Sequence, residues 1–258
     1  METNTYHHKI KNCDSLDGLF RLWKDKMPQD IMISNQSGEK SLRIDHRNNG
    51  FIKDGIVDNK QWGAGNNKKI LFVLKEAYGE NTDWDMTEWL RDKQPTLPIW
   101  KRIAKWTYGL QNTDKNMICP YVRELPDEQR RKALEQIAVI NLKKSDGRSA
   151  SNYSEITAYA RADCRELMRE FELIDPDIIV CGSTFHTLIT EVFGMQPVRR
   201  SELCDNYFYR LEAAGKRRLF IDYYHPANHW DDLVNYYGIV NIYQQALIAD
   251  LKNNLQIL

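Results

Sequence analysis

Leu16, Leu19, Phe20, Trp23 and Met27 recur three or four residues apart. That spacing predicts an amphipathic helix over residues 15–27, ended by Pro28. The pattern then shortens. The β-like runs IMIS, SLRID and GFIKDGIVD are broken by Asn35-Gln36-Ser37-Gly38, Asn48-Asn49-Gly50 and Gly63-Ala64-Gly65-Asn66-Asn67. Turn signals at these intervals predict a small hairpin region. From Lys68 onward, continuous apolar runs alternate with helical periods. Residues 70–74 (ILFVL), 138–142 (AVINL), 177–181 (DIIVC) and 219–223 (LFIDY) read as buried strands. Helices are predicted over 98–110, 127–136, 154–173, 183–193 and 234–253. Pro98 sits in a first turn, Ser154 is the expected N-cap, and Gly194 is an expected stop. The expectation is an α/β fold: a three-layer αβα sandwich with a central four-stranded, mostly parallel sheet. Residues 1–66 are expected as an N-terminal helix and β-hairpin extension, and 67–258 as the α/β domain.

Composition narrows the class. A chain of 258 residues suits one large domain, and 42% apolar with 28% charged residues excludes a disordered chain. No apolar run approaches the roughly eighteen residues of a membrane span. The polar N-terminus lacks the apolar centre of a signal peptide, so a cytoplasmic location is expected. Five cysteines with no CxxC pair suit reduced thiols. Lys plus Arg and Asp plus Glu are both 36. That balance tells against a strong sequence-blind nucleic-acid binder but leaves room for a local phosphate-binding patch. Seven Trp and thirteen Tyr suit stacking on flat ligands, and equally ordinary amphipathic packing.

In open parallel sheets ligands sit beyond the carboxyl ends of the strands. Lys75-Glu76-Ala77-Tyr78-Gly79-Glu80 follows the first strand. Asn141 and Lys143-Lys144-Ser145-Asp146-Gly147-Arg148 lie at the end of the second. Gly182-Ser183-Thr184-Phe185-His186 follows the third, and Tyr224-His225-Pro226-Ala227-Asn228-His229-Trp230 the fourth. A carboxylate, an amide, a histidine and aromatic rings thus converge on one rim.

Three blocks carry a family resemblance. ILFVLKEAYGE, the stretch from AVINLKKSDGRSASNYSEI to RADCRELMREFELIDPDIIVCGSTFHTLI, and IDYYHPAN stand in this order. Together they resemble the uracil-DNA glycosylase superfamily, closest to its family four and family five branch, over roughly residues 68–250. Lys75 stands where that branch has glycine, and Tyr78 where it has proline. Family four members hold an iron–sulfur cluster on four cysteines. Here only Cys164 matches a ligand position and Ser145 replaces another, so no cluster, cofactor or metal is expected.

The resemblance implies a DNA glycosylase that hydrolyses the N-glycosidic bond of a flipped uracil or other damaged base. His225 would donate to a uracil carbonyl oxygen as the base departs. Asn141 would read a pyrimidine edge, with Ala77 and Tyr78 beside it. Glu76 would orient the attacking water or stabilise the sugar cation, with Glu80 as a second carboxylate. Trp100 is the first choice for a stacking ring, then Trp84 and Trp89. Phosphate contacts are expected from Lys143, Lys144, Ser145, Arg148, Ser183 and Asn228. Arg199-Arg200 and Lys216 to Arg218 are further basic clusters. His229 or Trp230 would insert into a duplex, but Asp231-Asp232 follow at once and would repel phosphates. The expected partner is therefore DNA, single-stranded included, or a free nucleobase or nucleotide. Two alternatives stay open: a catalytically diverged nucleobase, nucleotide or nucleic-acid binder on the same fold, and an enzyme of other chemistry using Lys75 and Glu76 as a charged pair.

Overall fold

The computed structural model describes residues 2–35, 38–79, 81–148, 150–196 and 207–255. The chain opens with helices α1 (Glu2–Lys11) and α2 (Leu16–Lys24). Ser15 caps α2, its hydroxyl accepting from the Gly18 N–H at 3.3 Å. Strands β1 (Gln29–Asn35) and β2 (Gly38–Ile44) pair as an antiparallel hairpin. Two-residue strands β3 (Ile52–Lys53) and β4 (Gly55–Ile56) follow, then β5 (Ile70–Tyr78). Next come β6 (Trp84–Asp85), α3 (Met86–Lys93), α4 (Pro98–Asn112), α5 (Asp127–Glu135) and β7 (Ile137–Gly147). Helices α6 (Tyr153–Ala162) and α7 (Cys164–Ile174) lead to β8 (Ile178–Gly182). A single turn, α8 (Phe185–Thr187), runs into a π turn at Leu188–Val192. The hairpin of β9 (Phe208–Ala213) and β10 (Lys216–Tyr223) precedes α9 (Asp232–Leu255).

The main sheet has six strands in the order β4-β7-β5-β8-β10-β9. The four strands expected from the apolar runs form its parallel centre, β7-β5-β8-β10. The two additional strands are antiparallel edges: β4 on β7, and β9 on β10. Neither gives a long apolar run in the sequence, which is why a four-stranded sheet was the expectation. Side chains of the central strands alternate between two separate apolar clusters. Ile70, Phe72, Leu74, Val139 and Val180 face α3, α4, α5 and α9. Leu71, Val73, Ile140, Ile179 and Phe220 face α2, α6, α7 and the Phe185–Val192 turn. This is a mixed α/β fold with both sheet faces covered.

Residues before Lys68, expected as an appended extension, supply part of this core. Leu19, Phe20 and Trp23 of α2 are buried in the second cluster, and Gly55 and Ile56 pair with Val139 and Ala138. A second difference concerns the long helix expected over 154–173, which is two helices. Asp163 stands between them, fully buried, its carboxylate taken by His46 and Lys26. Its backbone leaves helical geometry so that the side chain meets those partners. Asn152, not Ser154, caps α6, accepting from the N–H groups of Ser154 and Glu155. No described helix is long and apolar enough to cross a membrane.

Candidate functional site at the carboxyl ends of the strands

Three strand ends are stitched together by one turn. Ser183 adopts a left-handed backbone, with φ of 58°. Its N–H donates to Tyr223 O at 2.8 Å, and its Oγ accepts from the His225 N–H at 3.0 Å. Thr184 donates its hydroxyl to Val73 O at 2.8 Å. Gly182 keeps this crossing close. A Cβ there would come within 3.0 Å of Leu74 Cδ2 and 3.2 Å of Pro226 Cδ. The ends of β5, β8 and β10 are therefore held at close quarters, and the His225 loop hangs from them.

Within that loop the imidazole is fixed. The Ala227 N–H donates to His225 Nδ1 at 3.2 Å, so the proton of the neutral ring sits on Nε2. Burial first, and the Lys75 ammonium second, push its pKa down to about 4. His225 is thus a neutral donor near neutral pH. The loop is clamped from α4. Arg102 donates to the carbonyls of Pro226 (2.7 Å), Asn228 (2.8 Å) and Trp230 (3.3 Å), and to Asp232 at 3.0 Å. Lys105 reaches the other oxygen of Asp232 at 2.5 Å. Burial works against the Asp232 charge, but Lys105 and Arg102 outweigh it and hold the carboxyl below its ordinary value. Asp231 accepts from the Leu233 N–H at the start of α9. Asp232 is therefore neutralised and Asp231 occupied as a cap, which weakens the phosphate repulsion expected from the pair.

Glu76 lies on β5, beside Lys143 of β7 in register. Lys143 Nζ is 2.8 Å from Glu76 Oε2, and both side chains are about 5% exposed. The same ammonium donates to Asp146 O and lies 5.3 Å from the centre of the Tyr159 ring. Lys143 is thus committed to Glu76, not to a phosphate. Since β8 separates β5 from β10, Glu76 and His225 stand about two strand spacings apart, ~10 Å.

Several expected contacts turn out to be structural. Asn141 is buried within β7, not at its end. Its N–H and its Nδ2 both donate to Asp54 Oδ2, at 2.7 and 3.1 Å, and its Oδ1 has no hydrogen-bond partner among the described residues. Its base-reading donor is therefore already used. Lys144 is fully buried between Asp54 and Glu170, against the rings of Phe20 and Trp23. Burial opposes its charge, but the two carboxylates outweigh it and hold the ammonium above its ordinary value. It is beyond the reach of a phosphate. Ser145 is buried and takes part in a polar chain. His46 Nε2 lies 2.8 Å from the Asp163 carboxylate, and its Nδ1 is hydrogen-bonded to the Ser145 hydroxyl at 3.3 Å. Asn228 binds His225 O and Asn235, serving the loop instead of DNA. Trp100 is a core residue, 5% exposed and edge-on to Trp89. Ala77 is also in the core.

The remaining expected residues differ in exposure. Tyr78 is 71% exposed, Arg148 is exposed near Glu155, and Ser183 is exposed beside His225. Lys216 pairs with Asp177, and Arg218 is buried against Asp175. Both stand at the opposite, amino end of the parallel strands, away from the rim. Glu80, Arg199 and Arg200 lie outside the described residues.

The ring-lined cavity lies elsewhere than expected. A cleft of about 540 Å³ opens beyond the ends of β8 and β10, lined by Ser183, Phe185, Tyr207, Tyr209, Asp222 and Tyr224 among others. A smaller cavity of about 360 Å³ adjoins Lys143, Asp146 and Arg148. Asp54 and Arg102 carry much of this arrangement and went unnoticed in the sequence. Asp54 sits in the β-like run GFIKDGIVD, where nothing marks it as a partner for β7. Arg102 reads as an ordinary solvent-facing position of α4. Compared with known proteins, the chain matches no family model and none of the curated proteins.

Proposed function

We propose that the protein is a DNA glycosylase of the uracil-DNA glycosylase type, hydrolysing the N-glycosidic bond of an extruded uracil or related damaged base. The observation that carries this reading is His225. A neutral imidazole, with Nδ1 held by the Ala227 N–H, presents Nε2–H at the carboxyl rim. A departing base accumulates negative charge on its carbonyl oxygens, and a fixed donor aimed at that charge lowers the barrier. Lys75 adds a positive charge near the same point, in keeping with an anionic leaving group. Lys143 takes Glu76 Oε2, so Oε1 is the oxygen that would accept from the attacking water. Arg102 and Ser183 position the His225 loop without touching the base. Tyr78 and Arg148, both exposed on the rim, suit contacts with a single strand.

The test is release of base from single- and double-stranded oligonucleotides carrying uracil, hypoxanthine or xanthine, read as abasic product. Wild type yields product, and His225→Ala lowers the rate ~10²–10³-fold. Glu76→Gln lowers it as well. No product from folded wild type, or full activity in His225→Ala, overturns the reading. The Glu76–Lys143 pair favours a second reading, a nucleobase or nucleotide binder without turnover, because it engages one oxygen of the carboxylate expected to activate water. That reading gains if uracil or nucleotides raise the melting temperature while no abasic product forms.

A further inference from the structure

The charged pair left open for Lys75 and Glu76 does not form, because Lys143 takes Glu76. Lys75 is left over. The other lysines of the central strands are engaged: Lys143 with Glu76, Lys144 with Asp54 and Glu170, and Lys216 with Asp177. Among the described residues, the Lys75 ammonium has no hydrogen-bond or ion-pair partner. The residue is half-buried, at the carboxyl end of β5.

Strand register fixes where it stands. Val73 of β5 pairs with Cys181 of β8, so Lys75 is level with Ser183. Tyr223 of β10 pairs with Gly182, so Tyr224 is level with Ser183 as well. Ser183 Oγ accepts from the His225 N–H at 3.0 Å. Lys75 and His225 thus approach Ser183 from the two strands that flank β8, and the Lys75 charge is felt at the imidazole. A flexible four-carbon stem lets the amine search the space beside that ring.

A primary amine at this point has a reaction of its own. A deoxyribose that has lost its base opens to an aldehyde at C1′, and lysine amines form Schiff bases with carbonyl carbons. We propose that Lys75 is the nucleophile of an abasic-site lyase, forming a Schiff base with C1′ of a base-free deoxyribose in DNA. The step rests on the glycosylase reading only for the source of its substrate, which base excision beside His225 would supply. The neutral amine adds to C1′ and the carbonyl oxygen leaves as water, so C=N replaces C=O. The iminium makes the C2′ proton acidic, and water removes it. The C–H electrons become the C2′–C3′ double bond as the C3′–O bond breaks, and the downstream strand departs with a 5′-phosphate. Water then hydrolyses the iminium, restoring Lys75 and leaving an unsaturated aldehyde on the upstream strand. The sequence is redox-neutral, and the water released in the first step is returned in the last.

The test uses the full chain and a single-stranded oligonucleotide carrying a preformed abasic site, with sodium borohydride to reduce the imine to a stable amine. A covalent protein–DNA adduct is expected, its modified peptide mapping to Lys75. Without borohydride, the strand is expected to be cut on the 3′ side of the abasic site. Lys75→Arg keeps the charge but forms no such imine, and is expected to lose both adduct and cleavage while its melting temperature shows it folded. The peptide map is read on wild type, so it decides the matter even if the variant fails to fold. No adduct from folded wild type, an adduct on another lysine, or one that persists in Lys75→Arg overturns the proposal. A preformed site needs no base excision, so the two readings fail separately. An adduct without base release would sink the glycosylase alone, and base release without an adduct would sink the lyase alone.

Discussion

At the scale of single residues, the site is decided by which charges are already spent. Unfolded, the His225 ring takes a proton near its ordinary value of 6.5. Folded, burial and then Lys75 hold the proton off until about pH 4. Between those values the unfolded chain binds one more proton than the folded one, so stability falls as the pH drops from about 6.5 to about 4 and is unaffected by this group above. Urea unfolding midpoints of wild type and His225→Gln, compared from about pH 8 down to about pH 4, check this. The variant is expected to lose that part of the slope, and equal slopes would assign the acid loss to other groups. Glu76 and Lys143 make a second case. Lys143→Met strands a buried carboxylate and is expected to cost ~3–5 kcal/mol. Adding Glu76→Gln is expected to recover most of that loss. If the double variant is as unstable as the two single losses added together, the pair is not coupled.

Among the elements, α4 governs the loop after β10. The Arg102 guanidinium spans three loop carbonyls and Asp232. Arg102→Ala is expected to cost ~2 kcal/mol in stability, since hydrogen bonds to a charged group are worth more than neutral ones. It is also expected to move the His225 ring resonances in NMR spectra, which a purely distant packing defect would leave in place. The elements themselves were largely legible. Apolar runs gave the four central strands, and Gly194, with φ of 62°, stands after the Phe185–Val192 turn as foreseen. The edge position of β4 was not legible, because the β-like run GFIKDGIVD does not show that its Gly55–Ile56 pairs with β7. The site was half legible. His225 and Glu76 reach the rim because strand ends can be counted. Lys144 and Ser145 follow the second apolar run and Trp100 lies in α4, yet the covered sheet faces and helix packing bury all three. A charge run read as a line cannot reveal which of its members face the core. The break at Asp163 escaped for the same reason, since its partners, His46 and Lys26, lie more than a hundred residues earlier.

At the scale of the whole molecule, the first 66 residues belong to the core. Removing them takes away Trp23, Asp54 and the β4 edge, leaving Lys144 with Glu170 alone. A chain starting at residue 67 is expected not to fold, shown by an absent cooperative transition on heating. A sharp transition near that of the full chain would make the segment dispensable. Asp54 also bears on how the protein is made. Its partner Asn141 lies 87 residues downstream and Lys144 lies 90. At ~5–20 residues per second, the first of these follows Asp54 from the ribosome after roughly 4–17 s. During that interval α2 packs only on neighbours already made, such as Phe51, and the edge residues Gly55 and Ile56 have no strand to join. The early part of this chain cannot complete its native contacts until β7 emerges.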